Sequence, residues 1–355
     1  RDRIGIEGYL YDNFYFRARY DFANANDITA SEPGGAATTG FKDVLMRVEH
    51  LPFISNFQVG LWKEMINLVW QSSSNQIIFM ERAAVINALN PGRTDGVATY
   101  RTYFNDRLFF GTGLFRSVDN NGGFSQGDGG WASTSRIAFL PIYEENGRYL
   151  VHLGGSYSHR AYNHTADSAG EPRFATVGDI AIGTPAVLDT GRIKGASNEN
   201  LLNGEFVTLI GPLSIQSETM MVSINTPHGS PVYWGTYAQV SYFLTGENRR
   251  YRRSSGNMYG MSFTTPNVNE NFFTLTRWPY IFGRGAWEIA ARYDYLDLSG
   301  GGFVVPTASD GSGGTGRWNG MTYGLNWWLN DNSTIMLDYV HGWRHSDTPG
   351  RSGQM

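Results

Sequence analysis

Arginine is the residue type with the most chemistry to offer in this chain. Of 28 basic residues only Lys42, Lys63 and Lys194 are lysine. A guanidinium stays charged and presents a rigid fork of donors that matches carboxylate and phosphate. Arg17, Arg19, Arg47, Arg101 and Arg292 are expected on one face of alternating segments, and Asp21, Glu49, Glu288 and Asp294 share that face. Glu81, Arg82 and Arg93 fall in one long connection, and Arg249, Arg250, Arg252 and Arg253 crowd another. Guanidinium groups fixed along a wet, low-dielectric tube would guide anions by focusing potential. Interleaved carboxylates would turn the same column into a transverse field with little net preference. Both readings stand at this level.

Catalysis has no foothold here. There is no Cys, and His152, His159 and His164 are too scattered for metal-ligand spacing. The Gly-rich pieces at 299–303 and 310–316 lack the strand-then-helix setting of a phosphate cradle. No catalytic residue, metal or cofactor is therefore expected, and the chain does not read as an enzyme. A formal net charge of -4 gives no argument for nucleic acid.

The elements that must position these side chains are strands. In Phe14–Phe22, Phe14, Phe16, Ala18, Tyr20 and Phe22 alternate with Tyr15, Arg17, Arg19 and Asp21. The split recurs at Trp287, Ile289, Ala291, Tyr293 and Tyr295 against Glu288, Arg292 and Asp294. It returns at Met321, Tyr323, Leu325, Trp327 and Leu329 against Thr322, Gly324 and Asn326. About fourteen such segments follow one another, near the ~9–11 residues that cross a bilayer at a tilt. No apolar run reaches the ~18 residues of a helical span. A membrane barrel points the apolar face at lipid and the charged face at water. The fold predicted is a transmembrane antiparallel β-barrel, one all-β domain over 1–355. Trp62, Trp287, Trp327 and Tyr20 lie near strand ends, where aromatic girdles sit.

The connections alternate short and long, as outer-membrane barrels require of their two rims. Asp12-Asn13, 50–55, Asn105-Asp106, Glu144 to Gly147, Gly211-Pro212 and Asn330 to Asn332 are short. The stretches 23–40, 64–95, 117–130 and 161–202 are long. Two breaks stand out, since 225–230 is short where a long loop is due and 245–285 is long where a turn is due. The middle of 64–95 is too apolar to dangle in water, so it is expected to fold inward as a constriction. Glu81 and Arg82 then either touch permeating ions or anchor the loop to the wall. Arg93 either faces the ion or caps the loop's return. The insertion 245–285 reads either as a second constricting element or as a solvated basic turn.

Several segments resemble the OprP/OprO family of phosphate- and polyphosphate-selective porins. The matching stretches are RIGIEGYLYDNFYFRARYDFA, FMERA with NPGRTDGV downstream, YFLTGENRRYRRSSG, GAWEIAARYDYLDL and MTYGLNWWLNDNSTIMLDYVHGW, in the family's order over nearly the whole chain. The resemblance implies a sixteen-stranded barrel, usually a homotrimer, admitting small anions across the bacterial outer membrane. It implies one further strand before the first segment and one after the last, so that terminal closing strands appear to be missing here. It places 64–95 where the family's third loop enters the lumen. It also makes 245–285 the source of anion-binding lysines, the first replaced here by Arg252 and the second, near Ser262, absent.

The function expected is passive diffusion of small solutes through an outer-membrane porin, with a preference for phosphate-like anions. Membrane lipid, small permeating anions and two further copies of the chain are the implied partners. A structural barrel that tethers the envelope with little conduction is the alternative. A soluble β-rich binding module is a third reading, which needs the aromatic faces buried.

Overall fold

The computed structural model describes residues 3–22, 40–116, 130–162, 171–180, 186–253, 260–272, 283–302, 314–347 and 352–354. His164 and residues 310–313 lie outside them. One antiparallel sheet of 15 strands runs in chain order, each strand pairing with the next. Fourteen form the wall: β1 (Arg3–Leu10), β2 (Phe14–Asp21), β3 (Gly40–Leu51), β4 (Ser55–Lys63), β5 (Arg93–Tyr103), β6 (Leu108–Arg116) and β7 (Trp131–Glu144). Then come β8 (Tyr149–Ala161), β9 (Asn198–Ile210), β10 (Leu213–Asn225), β11 (Val232–Phe243), β12 (Ala286–Asp297), β13 (Gly316–Asn330) and β14 (Ser333–Ser346). The fifteenth is only Gly353–Gln354, paired with β14.

The hairpins at one rim are tight because their residues tolerate left-handed backbone. Asn105 and Asp106 have φ of 53° and 58°, and Gly211 has 60°. Asn, Asp and Gly visit that region at least cost, which lets two-to-four-residue turns reverse the chain with the native twist.

Alternation sets the two faces as the residue pattern predicts. Ile4, Ile6, Phe110, Ile137, Ile289 and Leu337 are large apolar side chains left exposed on the outside. A water-soluble domain could not carry so much contiguous apolar surface, whereas acyl chains solvate it. In β2, Phe14, Phe16 and Tyr20 are half-exposed outward, while Tyr15, Arg17 and Asp21 are buried inward.

Two aromatic positions divide. Trp287 and Trp327 stack outward at 5.0 Å, as an interfacial girdle requires. Trp62 does not join them. It is 1% exposed, on the inward parity of β4, and packs on Phe115 at 5.4 Å. The segment entering the lumen at residue 64 covers it, so its indole is buried by protein rather than by lipid headgroups.

The inside of the sheet is packed rather than hollow along much of its circumference. The 64–92 segment carries two short helices, α1 (Leu68–Gln71) and α2 (Ala84–Leu89). Val85, Ile86 and Leu89 of α2 join Phe174, Val187, Leu188 and Ile193 in one apolar cluster. That cluster sits on inward Leu201, Met220, Val222 and Leu296 of the wall. A second cluster seats Met65, Leu68, Tyr251, Met261 and Phe263 on Leu45, Phe109, Phe115, Leu150 and Val207. Inward positions beneath the inner segments are therefore a mixture of apolar side chains and buried charges that hold those segments.

Candidate permeation pathway

Three inner segments meet the wall, two of them anticipated from their length and one not. The first, 64–92, is held by backbone donors to inward carboxylates. Leu68 and Val69 N–H donate to Glu218 at 2.9 and 3.1 Å, Ala84 N–H to Asp294 at 2.8 Å, and Met80 N–H to Asp338 at 2.8 Å. Glu64 accepts from Arg160 at 2.6 and 2.9 Å, from Thr94 at 2.7 Å and from Thr134 at 2.8 Å. Contacts from one segment to β5, β7, β8, β10, β12 and β14 require the sheet to curl around it.

The second is a short ladder, Arg250–Arg252 against Ser262–Thr264, within the long insertion. Arg136 of β7 donates to the carbonyls of Gly260 and Met261 at 2.9 and 3.3 Å and to both Glu205 oxygens at 2.9 and 2.8 Å. His152 stands between Glu205 at 2.9 Å and the Tyr251 hydroxyl at 2.7 Å. This ladder also touches the first segment, since Phe263 N–H donates to Ser72 Oγ and Arg249 to the Gln76 carbonyl.

The third inner region, residues 171–180 and 186–193, reads in sequence only as part of a long outer loop. Ala175–Thr176 pairs with Leu188–Asp189, closed by Arg173 on Asp189 at 2.9 and 2.6 Å. Asp179 reaches Arg292 of β12 at 3.1 Å. Phe174, Val187, Leu188 and Ile193 were the available signal, being apolar residues in a supposed solvent loop.

Most of the anticipated pore residues turn out to be committed to protein partners. Arg47 pairs with Glu49 and lies over the Tyr15 ring at 4.4 Å. Arg93 donates to Asp43 at 2.9 Å. Arg292 bonds Asp179 and the Glu81 carbonyl, the latter at 2.8 Å. Arg82 is buried, bonding the Val69 and Ser72 carbonyls at 3.2 and 3.1 Å over the Trp70 ring. It ties the loop to itself and does not face a solvated lumen. Arg249 is buried over Phe263, 3.8 Å from Glu288, which accepts from Asn326 and Trp328. Asp294 is fully buried at the start of α2.

Arg101 departs from the expectation. Inward residues of β5 are even-numbered, with Ala98 and Tyr100 buried beside Phe109. Arg101 sits on the outer parity near the short-turn rim, where it reaches the Phe53 carbonyl at 3.0 Å and covers Tyr103 at 5.3 Å. A long side chain on a lipid-facing strand end places its charge at the interface.

A smaller group keeps access to water. Arg17 and Arg19 of β2 reach Glu7 of β1 at 2.5 and 3.4 Å, and Arg19 is 38% exposed. Arg3 bonds Asp21 at 2.7 Å. A polar cavity of about 500 Å³ lies between this wall and the tip of the first inner segment, lined by Arg3, Gly5, Glu7, Arg19, Ser73 and Asn75. Among the described residues, Arg250, Arg252 and Arg253 meet Asn267, Thr264 and the Asn105 carbonyl rather than carboxylates. Burial, with Arg250 and Arg17 nearby, holds Arg252 below arginine's ordinary pKa.

Comparison with known proteins agrees with this architecture. A family described as "Phosphate-selective porin O and P" matches residues 1–354. Porin O of Pseudomonas aeruginosa is 24% identical over 358 residues, 95% of this chain and 74% of that protein. An uncharacterised protein of Caulobacter vibrioides is 27% identical over 251 residues, 64% of this chain and 43% of that one. The solved structure of Pseudomonas putida OprB at high pH superposes with a TM-score of 0.52 at 9% identity, over 96% of this chain and 81% of that one, a likeness of fold alone. With the family matched from end to end, and an outward apolar belt around a charged interior, the chain belongs to the phosphate-selective porin O and P family of the bacterial outer membrane.

Proposed function

We propose that this porin is a passive, anion-preferring channel whose pathway runs between the β1–β2 wall and the two inner elements at 72–76 and 250–252. No catalytic step belongs to this reading. Small oxyanions of the phosphate class are the permeants, in keeping with the family, and the barrel works as three copies, which cross-linking in detergent would count. The observation that carries the reading is Arg252, which has hydroxyl contact but no carboxylate among the described residues and lies in the field of Arg17.

A conducting site must bind weakly enough to release. Arg252 offers one half-buried fork rather than a cage, and its reduced hold on a proton reflects burial first and the neighbouring Arg250 and Arg17 second, both of which an anion would offset. In planar bilayers under a salt gradient, the reversal potential should have the sign of anion preference. Arg252→Gln should lower the anion-to-cation permeability ratio about tenfold, because one charge ~6 Å from an ion in water is worth about threefold to the anion and the same, with opposite sign, to the cation. Cation preference in the unaltered protein would defeat the reading. A channel that does not conduct would favour the tethering alternative.

A further inference from the structure

We propose that Glu7 sets the ion preference of this porin by offsetting part of the positive charge of Arg17 and Arg19 at the open side of the lumen. The inference rests on the pathway assigned above and names the residue that tunes it.

Six other inward carboxylates are withdrawn from water. Asp21, Asp43, Glu49, Glu205, Glu288 and Asp294 are all buried, each held by a guanidinium, an amide or a backbone donor. Glu7 differs. Its side chain is 48% exposed and it lines the 500 Å³ polar cavity. It accepts from Arg17 Nε at 2.5 Å, from the Tyr15 hydroxyl at 3.1 Å and from Arg19 Nη2 at 3.4 Å. One carboxylate thus stands between two cations and the solvent.

An anion crossing this gap competes with Glu7 for the same forked donors. The long, exposed contact to Arg19 is the first to yield, because exposed ion pairs are weak. The tight contact to the buried Arg17 persists, so the three groups together display one net positive charge where the two arginines alone would display two. Removing the carboxylate charge while keeping an acceptor oxygen would add one unit of positive charge at the gap, where Arg19 also lies 3.8 Å from the buried Asp43.

The test compares reversal potentials of the full-length protein and Glu7→Gln in planar bilayers under a potassium chloride gradient. Glu7→Gln should raise the chloride-to-potassium permeability ratio about tenfold, because one charge at ~6 Å in water changes the weight of the anion about threefold and that of the cation about threefold the other way. The gain should vanish in the triple variant that also carries Arg17→Gln and Arg19→Gln. If Glu7→Gln fails to insert, Glu7→Thr keeps a good strand former and carries the same expectation. A conducting variant with an unchanged or lowered ratio would overturn the assignment. The sign of the unaltered channel's reversal potential tests the pathway's preference separately, because the proposal concerns the shift between the two proteins. If the unaltered protein does not conduct, both fall together.

Discussion

Glu205→Ala is expected to destabilise the folded barrel by about 3–5 kcal/mol, the loss typical when one member of a buried ion pair is removed. Arg136 and Glu205 are fully buried and joined by two parallel bonds of 2.9 and 2.8 Å. Without the carboxylate, Arg136 keeps only the Gly260 and Met261 carbonyls, and His152 loses its Nε2 partner. The 250–264 ladder should loosen with them, because Arg136 and His152 fasten its Met261 and Tyr251 ends. Denaturant titration in detergent, followed by tryptophan fluorescence, reads the stability. Limited proteolysis after Arg252 reads the ladder. Arg136→Met with Glu205→Leu should recover much of the stability, since an apolar pair of similar volume avoids burying charge. An alanine variant as stable as the parent would show that the pair carries no such weight.

The second large effect is expected at Glu218, which orders the start of the first inner segment. Its carboxylate accepts from both Leu68 and Val69 N–H, the first donors of a four-residue helix with no later turn to share the load. Glu218→Ala leaves these donors unpaired in a buried setting, at a cost of about 1–3 kcal/mol for each. The wall itself should survive, because β10 keeps its full ladders to β9 and β11. The predicted result is a barrel of near-normal heat resistance whose single-channel conductance is larger and noisier than the parent's. Unchanged conductance would mean that the apolar packing of 64–92 suffices to fix the segment.

Much of this protein is legible in its residues. Period-two alternation fixed which side chains meet lipid, because a strand's side chains can only point to opposite faces. The fourteen wall strands and the inward turn of 64–92 follow from the same patterning and from the segment's apolar middle. The alternation fails only where its phase is ambiguous. Arg101 illustrates this, because in β5 Val97, Thr99, Arg101 and Tyr103 alternate with Ala98, Tyr100 and Thr102, and neither face is distinctly apolar. Trp62 looks like a girdle residue until the segment beside it is seen to fold inward.

What tertiary structure alone decided is which charges remain available to an ion. Arg160 finds Glu64 across 96 positions, Arg136 finds Glu205 across 69 and Arg292 finds the Glu81 carbonyl across 211. Such partners are set by how the sheet curls and which inner segment lies against which strand, and no local pattern encodes that. The third inner segment, with Phe174 and Leu188 pressed on α2, was hidden for the same reason. Twenty-five arginines promise a positive lumen. Only the folded geometry shows which of the described ones are held by carboxylates in place, while Arg250, Arg252 and Arg253 meet neutral acceptors and Arg19 shares Glu7 beside the polar cavity.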